Sequence, residues 1–176
     1  PLFSSWSRVQ LSDVLAGAGF GHQQVHHVAE VGLGGVHRSI VLATRMRTLA
    51  DTVGPNMRLL VCGLNPSLNA ADAGYGFASP SNRFWKAATA AGLVTTSRDP
   101  THALHVDGIG MSDLVKRATP RASEVKPTEF RDGLARLDRL CQWLQPRAVC
   151  VVGITGWRAS IGDGTAGLGL QPITLG

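Results

Sequence analysis

Charged side chains are scarce in this chain. Asp, Glu, Lys and Arg make up 16% of its 176 residues, against 44% apolar residues. That balance excludes a disordered segment, which cannot bury enough apolar surface to offset chain entropy. Cysteine is nearly absent too. Cys62, Cys141 and Cys150 are three, an odd number without paired spacing, which argues against a disulfide scaffold, a four-cysteine zinc site and a four-cysteine iron–sulfur cluster. Buried free thiols are the expectation for all three. No 18-residue apolar run exists, so no helix of the membrane-spanning kind is expected. The N-terminus has no basic stretch followed by an apolar one, so secretion is not indicated and a cytoplasmic location is expected. Pro1 stands where a complete chain would carry Met, and the sequence is expected to be trimmed there. G-x-x-x-x-G-K-[ST] does not occur, which argues against a nucleotide-binding α/β protein of the P-loop kind.

What is present suits one domain with a sizeable core. The net charge of +5 favours a polyanionic partner. Arginine far outnumbers lysine, which suits phosphate contact. The most informative stretch is Met57 to Trp85. Leu59-Leu60-Val61-Cys62 is an apolar run of strand length, fit for burial on both faces of a parallel sheet. Gly63 permits a turn that other residues resist, and Pro66 fixes its own φ and pushes Asn65 out of helical geometry. Asn65 is thus held where a buried strand meets a loop, the edge of an open α/β sheet at which ligands bind. Gly74, Gly76, Phe77 and Pro80 make a second loop. A helix opens at Ser81-Asn82-Arg83-Phe84-Trp85 and runs to Gly92.

Elsewhere, Leu11 to Leu15 is expected to form a short helix capped by Ser12. Gly17, Gly19, Gly21, Gly32, Gly34 and Gly35 suggest loops. His22, His26, His27 and His37 read either as a polar surface segment or as metal ligands, and no Cys or carboxylate pattern completes a ligand set. His37 to Asp51 has helical patterning, with Val41, Leu42, Met46 and Leu49 on one side. A second strand and its end are expected at Gly108–Ser112, followed by Asp113. Thr128 to Leu144 is the clearest helix, its apolar stripe formed by Phe130, Leu134, Leu137, Cys141 and Leu144. Ala148 to Val152 reads as a third buried strand, Trp157 as the opening of a short helix, and Pro172 to Leu175 as the start of a further strand. Strands alternating with helices predict an α/β three-layer sandwich, a central parallel sheet flanked by helices with right-handed crossovers.

The stretch GLNPSLNAADAGYGFASPSNRFWKAATAAGL resembles the signature of the mismatch-specific uracil/thymine DNA glycosylases. That family carries Gly-Ile-Asn-Pro-Gly and, downstream, Gly-x-x-Phe-Ala-x-Pro-x-Asn-Arg-Phe-Trp. The likeness runs from about Thr48 through Leu175, and implies a uracil-DNA glycosylase-like domain over 48–176 preceded by an extension, 1–47, that packs on the core. It implies a monomeric base-excision enzyme that flips uracil out of DNA, G:U mispairs included, and hydrolyses its N-glycosidic bond without metal or cofactor. Three departures stand out. Ser67 replaces the second glycine of the first motif. Ile154 stands where the family has a Lys shortly after Gly153. The family's further strand, ending in an Asn-Pro-Ser-Gly loop that fills the gap left by the flipped base, has no copy here, so the chain is expected to continue past Gly176. The first two departures leave open a non-catalytic protein that binds uracil or mismatches.

The chemistry needs an extruded base, a stabilised leaving group and a directed water. By resemblance, Gly63, Leu64, Pro66, Ser67, Phe77 and Asn82 contact the substrate and Asn65 positions the water. Phe77 is either a stacking platform or an ordinary core residue. Backbone N–H groups of Leu64 and Ser67 can face the uracil oxygens, whereas Pro66 has none to give. An amide accepts a proton poorly, so a carboxylate beside Asn65 would help. Asp113, at the end of the next strand, is either that group or a helix cap. Arg83 and Lys86, near a helix start, are candidates for DNA-backbone contact or for a solvated helix face, and Arg117 and Arg121, which flank a turn, are candidates for backbone-phosphate contact.

Overall fold

A computed structural model describes residues 7–28 and 38–176. The expectations for Gly32, Gly34, Gly35 and His37 lie outside the described residues. Helix α1 (Arg8–Gly17) opens with a capping box. Ser7 Oγ accepts from the Gln10 amide and Gln10 Oε1 from the Ser7 amide. The cap is therefore Ser7 rather than Ser12, because only Ser7 has a Gln three residues on to complete the box.

Strands β1 (Phe20–Val28) and β2 (Arg38–Arg45) form an antiparallel pair. This corrects two expectations, the loop around Gly19–Gly21 and the helix from His37. The apolar spacing at Val41, Leu42 and Met46 fits a helix period. The β-branched Ile40, Val41 and Thr44 instead favour extended backbone once β1 supplies a partner.

The core sheet is parallel, in the order β4–β3–β5, with β3 at Leu59–Gly63, β4 at Ile109–Asp113 and β5 at Val149–Val151. It is flanked by helices, an α/β arrangement in which both faces of β3 are covered. Leu60 and Cys62 pack with Leu137, Leu140 and Cys141 of α5 (Pro127–Leu144). Val61 packs on the opposite side with Trp85 and Ala88 of α3 (Phe84–Ala90) and Ala103 of α4 (Pro100–His105). Period-two alternation sends neighbours on β3 to opposite cores, and each fully buried Leu or Val contributes about 1.5–3 kcal/mol. The helix ending at Gly92 fits that glycine's φ of +65°, although its first turn begins at Phe84, after Asn82.

Strand β5 is only half-buried and Cys150 is exposed. The expectation of a third buried strand and of three buried thiols is corrected: β5 borders the described sheet and pairs there with β3 alone. Helix α6 (Ile154–Ile161) follows. Pro172–Leu175 forms no strand. Between β3 and α3 lies α2 (Leu68–Ala73). The N-terminal elements touch the sheet domain through defined contacts. The Asp51 amide donates to Gly17 O at 2.8 Å, and Arg139 forms an ion pair with Asp13 at 2.7 Å.

Candidate active site

The register of the parallel sheet places Gly63 directly opposite Asp113. Both end their strands, and both lie on the α3 side by the alternation that places Val61 there. The loop after each strand is stitched to the other. Leu114 N donates to Gly63 O at 2.9 Å, Val115 N to Leu64 O at 2.9 Å, and Thr119 N to Pro66 O at 3.1 Å. Asn65 completes the seam. Its Nδ2 donates to Thr119 Oγ1 at 2.8 Å and to Arg117 O at 3.1 Å. A carbonyl can only accept, so the amide's NH₂ end must face Arg117 O, and Oδ1 is left as the acceptor end. Among the described residues, the N–H groups of Leu64, Asn65 and Ser67 meet no acceptor within hydrogen-bonding distance. The Ser67 hydroxyl is already used: it caps α2 by accepting from Ala70 N at 3.1 Å.

These groups border a crevice of about 230 Å³, lined also by Tyr75, Phe77 and Asn82. Phe77 takes a left-handed backbone with φ +58°, which costs a non-glycine residue roughly 1–2 kcal/mol. Two aromatic neighbours hold it there. Phe84 stacks on it with centroids 4.1 Å apart and planes 25° apart. Trp85 meets Phe84 edge-on and anchors the loop by donating from Nε1 to Gly76 O at 2.8 Å. Phe84 covers one face of the Phe77 ring, so a stacked ligand has only the other face.

Gly63 is needed for space rather than for a turn. Its φ is not among the positive ones. A Cβ built on it would collide with Asp113 Oδ1 and stand 3.7 Å from Phe77 Cζ. Glycine thus lets the Asp113 carboxyl lie against the strand end.

Asp113 is half-buried, and its carboxyl makes no hydrogen bond to any described residue. Burial pushes it up, Lys116 draws it down, Asp51 pushes it up and Arg136 draws it down, which leaves it at about 6. The Asp51 carboxylate behaves in the opposite way. Burial raises it, but Lys116 and Arg136 more than offset this and hold it below its ordinary value. Lys116 Nζ lies 2.6 Å from Asp51 Oδ1, Arg136 Nη2 binds Oδ2, and Ser112 Oγ donates to Oδ1 at 2.8 Å. Two carboxylates therefore stand near one strand end. One is saturated with cations and the other is left without a hydrogen bond. Divergent environments of this kind mark a candidate acid–base site.

The model of the uracil DNA glycosylase superfamily matches residues 50–171. The chain belongs to this superfamily. The match begins at Ala50, next to Asp51, and excludes the β1–β2 pair.

Within this superfamily domain, most of the residues chosen from sequence share the crevice. Gly63, Leu64, Asn65, Pro66, Ser67, Phe77, Asn82 and Asp113 all line it. Asn82 also starts α3, its Oδ1 accepting from Phe84 N at 2.8 Å. Arg117 does not fit a backbone-contact role. Its guanidinium is held bidentately by Glu129, at 2.9 Å to each oxygen, and donates to Glu124 O. Arg121 pairs more loosely with Glu124 at 3.3 Å and stays 79% exposed. Arg83 and Lys86 are exposed and have no ion-pair partner among the described residues. Sequence reasoning missed Asp51 and Lys116. Their only local signals are a carboxylate just before a strand pair and a lysine three residues after another carboxylate, and neither pattern is distinctive.

Proposed function

We propose that this superfamily member is a monofunctional uracil-DNA glycosylase, active on uracil mispaired with guanine among other contexts. The observation that carries this reading is the meeting of Asn65, the unpartnered Asp113 carboxyl and Phe77 on one small crevice. Base extrusion costs a few kcal/mol and is easiest at a mismatch. Stacking on the free face of Phe77 recovers about 1–3 kcal/mol. With the base in the crevice, Asn65 Oδ1 accepts a hydrogen bond from water and Asp113 takes its proton as the oxygen attacks the sugar carbon. The transition state has oxocarbenium character. Charge moves onto the uracil, whose oxygens can accept from the unclaimed N–H groups of Leu64 and Ser67. A carboxylate with a raised pKa is a better base here than an ordinary one, because proton transfer is most efficient when the acceptor's pKa approaches the working pH.

Strand cleavage is not part of the proposal. It would need an amine nucleophile at the sugar carbon. The position after Gly153 is Ile154, and Lys116 is engaged by Asp51. The test is a labelled duplex holding one uracil, incubated with the protein in EDTA. Strand scission only after alkali is the expected result. An uncut product after alkali, direct nicking, or loss of activity in EDTA would each contradict it.

A further inference from the structure

We propose that the groove along α3 bordered by Arg83, Lys86 and Arg98 is the track for the phosphodiester backbone of DNA entering the crevice. For the identity of its partner this inference rests on the reading above. It starts from how the basic side chains are used. Arg47 pairs with Asp72, Lys116 and Arg136 with Asp51, Arg117 with Glu129, Arg121 with Glu124, and Arg139 with Asp13. Arg58 donates to Asp107 O and Leu93 O, and Arg158 to Ala166 O. Eight of the 17 basic side chains are thus engaged by the protein itself, while Arg8, Lys126, Arg131 and Arg147 are exposed. Arg83, Lys86 and Arg98 are exposed, and among the described residues they make no ion pair and no side-chain hydrogen bond.

These three border one groove, and no Asp or Glu lines it. Ser81, Ser97 and Thr89 add hydroxyl groups to its walls. Asn82 belongs both to this groove and to the crevice, so the two adjoin at that residue. Arg98 also adopts a left-handed backbone, φ +62°, where glycine or asparagine would be less strained. A groove with three free cations, hydroxyl donors and no carboxylate, adjoining a base-sized crevice, fits a phosphate chain. It moves the backbone contact from Arg117 to Arg98.

Each phosphate neutralised on duplex DNA contributes about 0.9 to the slope of log K against log salt. The experiment measures binding of a labelled, uracil-free duplex by anisotropy between roughly 50 and 200 mM salt. The triple variant Arg83→Gln, Lys86→Gln, Arg98→Gln is expected to flatten the slope by roughly 2–3 and Arg121→Gln by less than about 0.5. An unchanged slope in the triple variant, or an equal change from Arg121→Gln, overturns the track. Melting curves confirm that each variant is folded. Should the triple variant not fold, Lys86→Gln and Arg98→Gln singly are each expected to flatten the slope by about 1; unchanged slopes in both overturn the proposal. A flattened slope without uracil release by the native chain sinks the catalytic reading and keeps the track. Uracil release with an unchanged slope sinks the track alone.

Discussion

Replacing Asp113 by Asn should make the protein more stable and less active, with both effects depending on pH. Asp113 titrates near 6 in the folded chain, against 3.8 for an ordinary Asp. The folded state therefore holds a proton more tightly than the unfolded one between these values. Above about pH 6 the native chain carries a desolvated carboxylate, and this penalty disappears as pH falls through 6 toward 4. The displacement corresponds to at most about 3 kcal/mol, and partial solvent access reduces it to about 1–3 kcal/mol. Asn has nearly the same shape and no charge. At pH 8 the variant should melt roughly 2–12 °C higher, given about 2–4 °C per kcal/mol for a chain of this size. At pH 4 the difference should vanish. Asp51 titrates in both proteins and cancels in the comparison. Single-turnover uracil release should fall about 10²–10⁴-fold, the usual contribution of general-base catalysis. In the native chain the rate should drop as pH falls below about 6. Thermal melts at the two pH values, beside excision kinetics, provide both readouts. A variant less stable than native at pH 8 would show that the carboxylate supports the fold. A variant with native rates would remove Asp113 from the chemistry.

Three other substitutions test the surroundings. Gly63→Ala should drive the Asp113 carboxyl off the strand end and lower the excision rate by about 10²-fold, as ångström-scale misplacement does, with DNA affinity nearly unchanged; a native rate would mean that the carboxyl's position is immaterial. Lys116→Met should move the acid limb of the rate profile to higher pH, since Lys116 draws Asp113 down, and destabilise the fold by about 3–5 kcal/mol by leaving a buried ion short of a partner. Lys116→Arg should restore the limb, and an unmoved limb in the Met variant would separate Lys116 from Asp113. Phe77→Ala should weaken affinity or rate by the 1–3 kcal/mol of a lost base stack, about 5- to 150-fold, while costing less than the roughly 3–5 kcal/mol of a fully buried Phe. Unchanged affinity and rate on a stable variant would exclude Phe77 from the site.

The parts of this molecule that were legible in the sequence are those whose physics is local. A four-residue apolar run can be a strand buried on both faces, and Leu60 and Val61 do enter opposite cores. The stripe on α5 needs only a 3.6 period. Asn65 before Pro66 is confined by its own neighbours. What escaped depends on pairing across distance. The apolar spacing in residues 38–45 suits either period, and the strand β1 decides it. Arg117 looked free because Glu129 is twelve residues away, on the first turn of α5. Gly63 looked like a turn residue because nothing in the sequence places the Asp113 carboxyl against it.

Asp51 shows most clearly why the rest was hidden. It precedes β3 in the chain, yet it binds Ser112 and Lys116 on either side of Asp113, and Arg136 from α5. With Arg136 also donating to Asp13 O at 3.1 Å, the network joins the first helix to the end of β4. A buried charge cluster of this kind is weak evidence for stability, since apolar replacements often serve as well. Its placement suggests another use. Lys116 satisfies Asp51 at 2.6 Å and lowers the Asp113 pKa, while Asp51 raises it. Burial raises the Asp113 carboxyl, Lys116 and Arg136 draw it back, Asp51 opposes them, and the outcome is about 6. In the proposed reaction a carboxyl so placed is ionised at neutral pH and still basic enough to take a proton from water.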